Sequence, residues 1–160
     1  MKNRSSLLNL GTCLFLLLCS WPVFAGDSLY GKITEVRSAD VVVLNYGAGS
    51  YVVHIVGVDV PKDERIANQA KEFVSSLVLG KNARVRLASR LDNGELVCQL
   101  YTADPGAGIK DVGVELLRAG LAQRQQAEDY QLGYKYSELS VAQREARAAK
   151  RGVWTLAPPN

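Results

Sequence analysis

The chain predicts a small α+β fold built mainly on β-strands, and three observations carry that prediction. Three apolar, β-branched runs follow one another closely between residues 29 and 58. After Pro61 the apolar spacing changes to three and four residues, the period of a helix. Two more strand runs and two helical stretches complete the order. A five-stranded OB-type β-barrel with three packed α-helices accommodates this series, although the pattern alone also suits other small α+β folds.

The first 25 residues read as a leader, outside the fold. Lys2 and Arg4 make the start positive, Leu7 to Leu18 are largely apolar, and Val23-Phe24-Ala25 presents a signal-peptidase site. The apolar stretch is short for a bilayer span and is broken by Cys19, Ser20 and Pro22. Leu18 is bulkier than the residue expected before a lipid-modified Cys19. Cleavage after Ala25 is therefore expected, with export to the periplasm or the outside. It would leave one domain over residues 26–160, a monomer by default, with no membrane span.

Within that domain, Leu29 to Val36 and Val41 to Tyr46 read as strands. Gly47-Ala48-Gly49-Ser50 reads as a tight turn, and Tyr51 to Val58 as the third strand. Ile66, Ala70, Phe73, Val74, Leu77 and Val78 fall on one helical face, with Asp63 placed to cap the start and Gly80 to end the helix. Strands are expected over Ala83 to Ala88 and Glu95 to Thr102, joined by the turn signal Asp92-Asn93-Gly94. Asp104 to Gly108 reads as a loop. A short helix is expected from about Asp111 to Arg118, stopping at Gly120. The last helix spans about Tyr136 to Lys150, ends at Gly152, and lets Trp154 fold back on the body.

Composition limits the function classes. The full chain has 19 basic and 16 acidic residues, a net charge of +3; losing Lys2 and Arg4 with the leader brings it to +1. Net charge alone thus gives no strong drive toward a polyanion. Of three cysteines, Cys13 and Cys19 leave with the leader. Cys98 then has no partner for an internal disulfide and reads as a small core residue.

Four stretches carry a resemblance. They are Glu35-Val-Arg-Ser-Ala-Asp40, His54-Ile-Val-Gly-Val-Asp59-Val-Pro-Lys62, Gly94-Glu95-Leu-Val-Cys-Gln-Leu-Tyr101, and the pair Glu115–Ala122 with Ala146–Trp154. In this order and separation, the region from Leu29 to Trp154 resembles the staphylococcal-nuclease-like (thermonuclease) family. The resemblance implies the OB-type barrel and a Ca²⁺-dependent hydrolysis of DNA and RNA phosphodiesters. In that chemistry a hard cation is held by oxygen ligands, a carboxylate takes a proton from water, and two arginines grip the phosphate.

Carried over by position, the resemblance makes Asp40 and Asp59 the metal-ligand aspartates and Val60 the backbone-carbonyl donor. The remaining positions depart from the pattern. His54 stands where the first arginine belongs, Lys62 where the base belongs, and Glu95 where the second arginine belongs. Ser38 replaces an acid of the first turn, and Val41 the threonine after it. A protonated lysine does not abstract a proton near neutral pH, and a glutamate repels phosphate. The expectation is a degenerate site with Ca²⁺ binding weakened or lost, in which exchanged charges leave Lys62 and Glu95 as a reversed ion pair.

The domain would then act as a binding module for nucleic acid or for a protein partner. Tyr30, Tyr46, Tyr51, Tyr101, Tyr130, Tyr134 and Tyr136 are available for stacking on bases. The alternative is a metal-dependent nuclease that uses His54 as an unorthodox base or phosphate donor.

Plainer roles compete at several positions. Asp40 can serve as a turn acid, Asp59 as a strand end, and His54 as a hydrogen-bonded pocket residue or a transition-metal ligand. Asp63 and Glu64 suit a helix start better than a replacement base. Arg144, Arg147 and Arg151 suit the solvated C-terminal end of the last helix better than a phosphate site.

Overall fold

A computed structural model describes residues 28–103, 106, 108–125 and 135–155. The expected leader, the tail Pro158–Asn160, Asp104, Pro105 and the tyrosines at 130 and 134 lie outside the described residues. The Tyr136 side chain does too.

Strands β1 (Ser28–Val36), β2 (Val41–Tyr46) and β3 (Gly49–Ile55) form an antiparallel meander. Gly47 and Ala48 alone make the β2–β3 turn. Gly47 takes φ +58°, the conformation a two-residue hairpin demands, and Gly49 already pairs with Tyr46. The turn is thus shorter than the four residues expected.

The third strand also ends sooner than expected. Gly57, at φ +83°, breaks the run after Ile55, and Val58–Asp59 forms a separate short strand, β4. Its partner is β7 (Gln123–Arg124), a strand too short to show any periodicity in the sequence.

Helix α1 (Glu64–Val78) starts where the sequence places it. The Asp63 side chain accepts from the Ile66 backbone N–H at 3.0 Å, a conventional N-cap. Ile66, Ala70, Val74 and Val78 are buried, and Phe73 and Leu77 pack at the core margin. Strand β5 (Asn82–Arg90) and β6 (Leu96–Thr102) form the second hairpin, with Gly94 at φ +87° in its turn. Helix α2 (Val112–Arg118) is capped by Asp111, whose side chain accepts from Gly113 and Val114. Helix α3 (Lys135–Ala148) buries Leu139, Ala142 and Ala146, and a 3₁₀ turn follows over Gly152–Thr155.

The strands close in the order β1-β2-β3-β6-β5, with β5 returning to β1. Among the described strands, only the β3–β6 pairing is parallel. Five strands closed in this way, with three helices packed on them, make the OB-type barrel. Its interior is filled by alternate residues, including Ile33, Val42, Leu44, Val53, Val85, Leu96 and Leu100. Cys98 is fully buried among them as a free thiol, the role expected of it. The parallel contact brings the start of β6 beside the end of β3, which positions the site described next.

Candidate active site

Because Val53 and Ile55 point inward, His54 points out of the barrel. By the same alternation Leu96 points inward, so Glu95, just before β6, also points out. The register places Val53 opposite Leu96 and His54 opposite Val97. The outcome is one contact: His54 Nε2 lies 2.6 Å from Glu95 Oε2, with about a third of each side chain exposed (32% and 30%). This hydrogen bond, first of all, holds the Glu95 carboxyl below its ordinary 4.5. A hydrogen bond from Asn93 and the charges of His54 and Arg37 act in the same direction, and partial desolvation opposes them.

The expected Lys62–Glu95 pair is not formed. Lys62 is exposed beyond β4, and among the described residues it joins no ion pair. The physical reason is register. The parallel β3–β6 contact delivers His54 to Glu95, whereas Lys62 follows the break at Gly57 and the separate short strand β4.

Asp40 sits in the bend between β1 and β2. Its carbonyl accepts from the Ile55 N–H at 2.7 Å, and Val41 lies opposite His54, so Asp40 shares the barrel end that holds the pair. Ser38 Oγ donates to Asp40 Oδ1 at 2.6 Å, occupying one carboxylate oxygen. Asp59 is exposed and pairs through its backbone with Gln123, while Val60 is half-buried against the core. Hydrogen bonds and strand pairing thus gather Asp40, His54 and Glu95. They do not draw the side chains of Asp59, Val60 or Lys62 into that group. Arg37 and Asn93, which also act on Glu95, escaped the sequence reading. The Asn93-Gly94 turn signal could have pointed to the second.

The donor set can be compared with what Ca²⁺ requires. A hard cation of this kind takes roughly six to eight oxygens. Asp40, Asp59 and the Val60 carbonyl are oxygen donors of the right kind. One Asp40 oxygen is already bonded to Ser38, Lys62 brings a positive charge three residues after Asp59, and no group of three or more His, Cys, Asp or Glu among the described residues is arranged to hold a metal. These residues do not by themselves form a full Ca²⁺ cage.

Several other expectations can be placed. Tyr101 is only 5% exposed and is no stacking platform, whereas Tyr30 at 60% and Tyr46 are open. The Arg147 guanidinium lies over the Trp154 ring at 5.0 Å, and Arg151 donates to the Arg118 carbonyl. Both arginines therefore serve the C-terminal turn. No helix among the described residues is long and apolar enough to cross a membrane.

The described residues thus form an OB-type barrel that holds Asp40 and a His54–Glu95 pair at one end. Residues 52–156 match the family model for staphylococcal nuclease homologues, and the chain belongs to that family. It is 30% identical over 147 residues to an "Uncharacterized endonuclease" of Escherichia coli, covering 91% of this chain and 90% of that one. A "Probable endonuclease LCL3" of Verticillium alfalfae is 29% identical over 140 residues, covering 82% of this chain but 46% of the fungal protein. A second fungal protein of that name, from Phaeosphaeria nodorum, is 29% identical over 117 residues, covering 67% of this chain and 39% of its own length.

Proposed function

We propose that this chain is an exported nuclease-family domain that has lost efficient phosphodiester hydrolysis and acts by binding nucleic acid or a protein, with Ca²⁺ affinity weak or absent. The observation that carries this reading is the 2.6 Å contact between His54 and Glu95. At the two positions where the family resemblance places phosphate-gripping arginines, a carboxylate and an imidazole satisfy each other. An arginine acting on a transferring phosphoryl group contributes roughly 10³–10⁵ in rate, and a positioned base roughly 10²–10⁴. Glu95 reverses the first effect and Lys62 removes the second.

The same contact supports a second reading. A carboxylate hydrogen-bonded to one imidazole nitrogen orients the ring and fixes which nitrogen faces outward, as a general base needs. In that case His54 would take the proton and Asp40 and Asp59 would hold a metal ion.

A nuclease assay on single-stranded DNA and RNA, with Ca²⁺, Mn²⁺ or chelator, separates the two. The binding reading predicts no cleavage above an Asp40→Ala/Asp59→Ala control. Metal-dependent cleavage lost both in that control and in His54→Ala would establish the second reading.

A further inference from the structure

The hairpin tip between β5 and β6 holds a reactive pair of residues beside the His54–Glu95 contact. Of the chain's asparagines, only Asn93 is followed by glycine. Residues 91–94 are all exposed, and a Cβ placed at Gly94 would have nothing within 4 Å. The Asn93 carboxamide is therefore followed by a backbone nitrogen that no side chain of its own residue shields. Asn45 and Asn82 lie in regular strands before Tyr46 and Ala83, and Asn68 lies in α1 before Gln69, so each precedes a residue that carries a Cβ.

The hydrogen bonds of the tip bear on what that nitrogen can do. Asn93 Oδ1 accepts from the Glu95 backbone N–H at 3.1 Å. When a nucleophile adds to Asn93 Cγ, negative charge develops on this same oxygen, so the Glu95 N–H stands where an oxyanion donor is needed. A restraint is the Gly94 N–H, which donates to the Leu91 carbonyl at 2.9 Å. That is a single bond at an exposed tip, and its opening leaves the pairing of β5 with β6 in place.

We propose that Asn93–Gly94 is a self-modification site, at which the side-chain amide is slowly and irreversibly converted to a carboxylate beside Glu95. Gly94 N gives up its proton to solvent base, and its electron pair forms a bond to Asn93 Cγ. The Cγ–Nδ2 bond breaks, and the amide nitrogen leaves as ammonia with a proton from water. Water then opens the resulting cyclic imide. Breaking the ring C–N bond at Cγ gives aspartate; breaking it at the backbone carbonyl carbon gives isoaspartate, with the main chain rerouted through Cβ. In sum, an amide and a water become a carboxylate and an ammonium ion, with no oxidant or reductant.

The product alters the site. Glu95 is held ionised first by the His54 hydrogen bond and next by one from the Asn93 side chain, with the charges of His54 and Arg37 adding to both. Conversion removes the Asn93 donor and sets a like charge beside Glu95, which raises its carboxyl pKa. The added negative charge also disfavours the approach of a phosphate, whichever reading of the site holds.

The test is peptide mapping by mass spectrometry of the purified protein after prolonged incubation at mildly alkaline pH and physiological temperature, with isoaspartate labelled by an isoaspartyl methyltransferase. Conversion of Asn93 to aspartate and isoaspartate is expected in the folded protein, with an equal amount of ammonia released, while Asn45, Asn68 and Asn82 stay intact. Asn93→Gln, whose longer side chain would have to close a larger ring, should show no conversion over the same time. Asn93→Asp reproduces one product, and NMR should find its Glu95 carboxyl titrating at higher pH than in the unmodified protein.

The proposal is overturned if Asn93 stays intact in the folded protein, whether or not guanidinium-unfolded protein is converted. It is equally overturned if Asn45, Asn68 or Asn82 is converted as fast, or if Asn93→Asp leaves the titration of Glu95 unchanged.

Discussion

Glu95 shows how one side chain changes a site. Placed after the Asp92-Asn93-Gly94 turn and beside His54, it is held ionised by a hydrogen bond that an arginine at the same position would not make. A carboxyl whose folded-state pKa lies below its ordinary 4.5 adds stability above that value and loses it as the pH falls through the depressed pKa. The unmodified protein should therefore melt above Glu95→Gln at about pH 6, with the difference shrinking toward about pH 3. A gap in Tm that stayed constant over this range would contradict the role given to the carboxylate.

Cys98 is the opposite case, a buried group whose thiol is pushed up to about 12 by desolvation. At pH 8 roughly one thiol in 10⁴ would be ionised, and that one is out of contact with solvent. Peptide mapping after treatment with iodoacetamide should find Cys98 unmodified in the folded protein and labelled in guanidinium. Ready labelling without denaturant would show that the barrel opens at β6.

Among the elements, the C-terminal clasp is the least tolerant of change. Gly120 and Gly152 sit at φ +72° and +51°, and a methyl group added at either would overlap the backbone of the other segment. This close approach lets Val153 N–H donate to the Gly120 carbonyl at 2.9 Å and brings Trp154 under Arg147. Gly152→Ala should lower stability by about 1–3 kcal/mol, from strain at positive φ and the lost approach. Urea unfolding measures it, and an unchanged midpoint would mean that the clasp contributes nothing to the folded state.

The elements also show what can be read from a one-dimensional pattern. Helix α1 was legible because its apolar spacing, its Asp63 cap and Gly80 agree. Strands β2 and β6 were legible from their runs of apolar and β-branched residues. The β4–β7 pair was not, because two residues on each side carry no period and only tertiary contact defines them.

At the scale of the whole molecule, the order of elements together with the family resemblance was enough for the barrel. Their lateral arrangement decided the site. Asp40, Asp59, Val60, His54, Lys62 and Glu95 were all singled out through the family resemblance, by position along the chain. That His54, not Lys62, meets Glu95 depends on the parallel register of β3 against β6, a pairing between residues 41 apart that no local pattern encodes.

On the proposed reading, hydrolysis is limited by what occupies three positions of an otherwise family-like barrel. The most direct test is to reverse them together, as His54→Arg/Lys62→Glu/Glu95→Arg, and to compare initial rates of single-stranded DNA cleavage in Ca²⁺. A gain of at least about 10²-fold over the unmodified protein is expected, abolished by adding Asp59→Ala. Contradiction would come from an unmodified protein that already cleaves as fast as the triple variant and loses that activity with Asp40→Ala/Asp59→Ala.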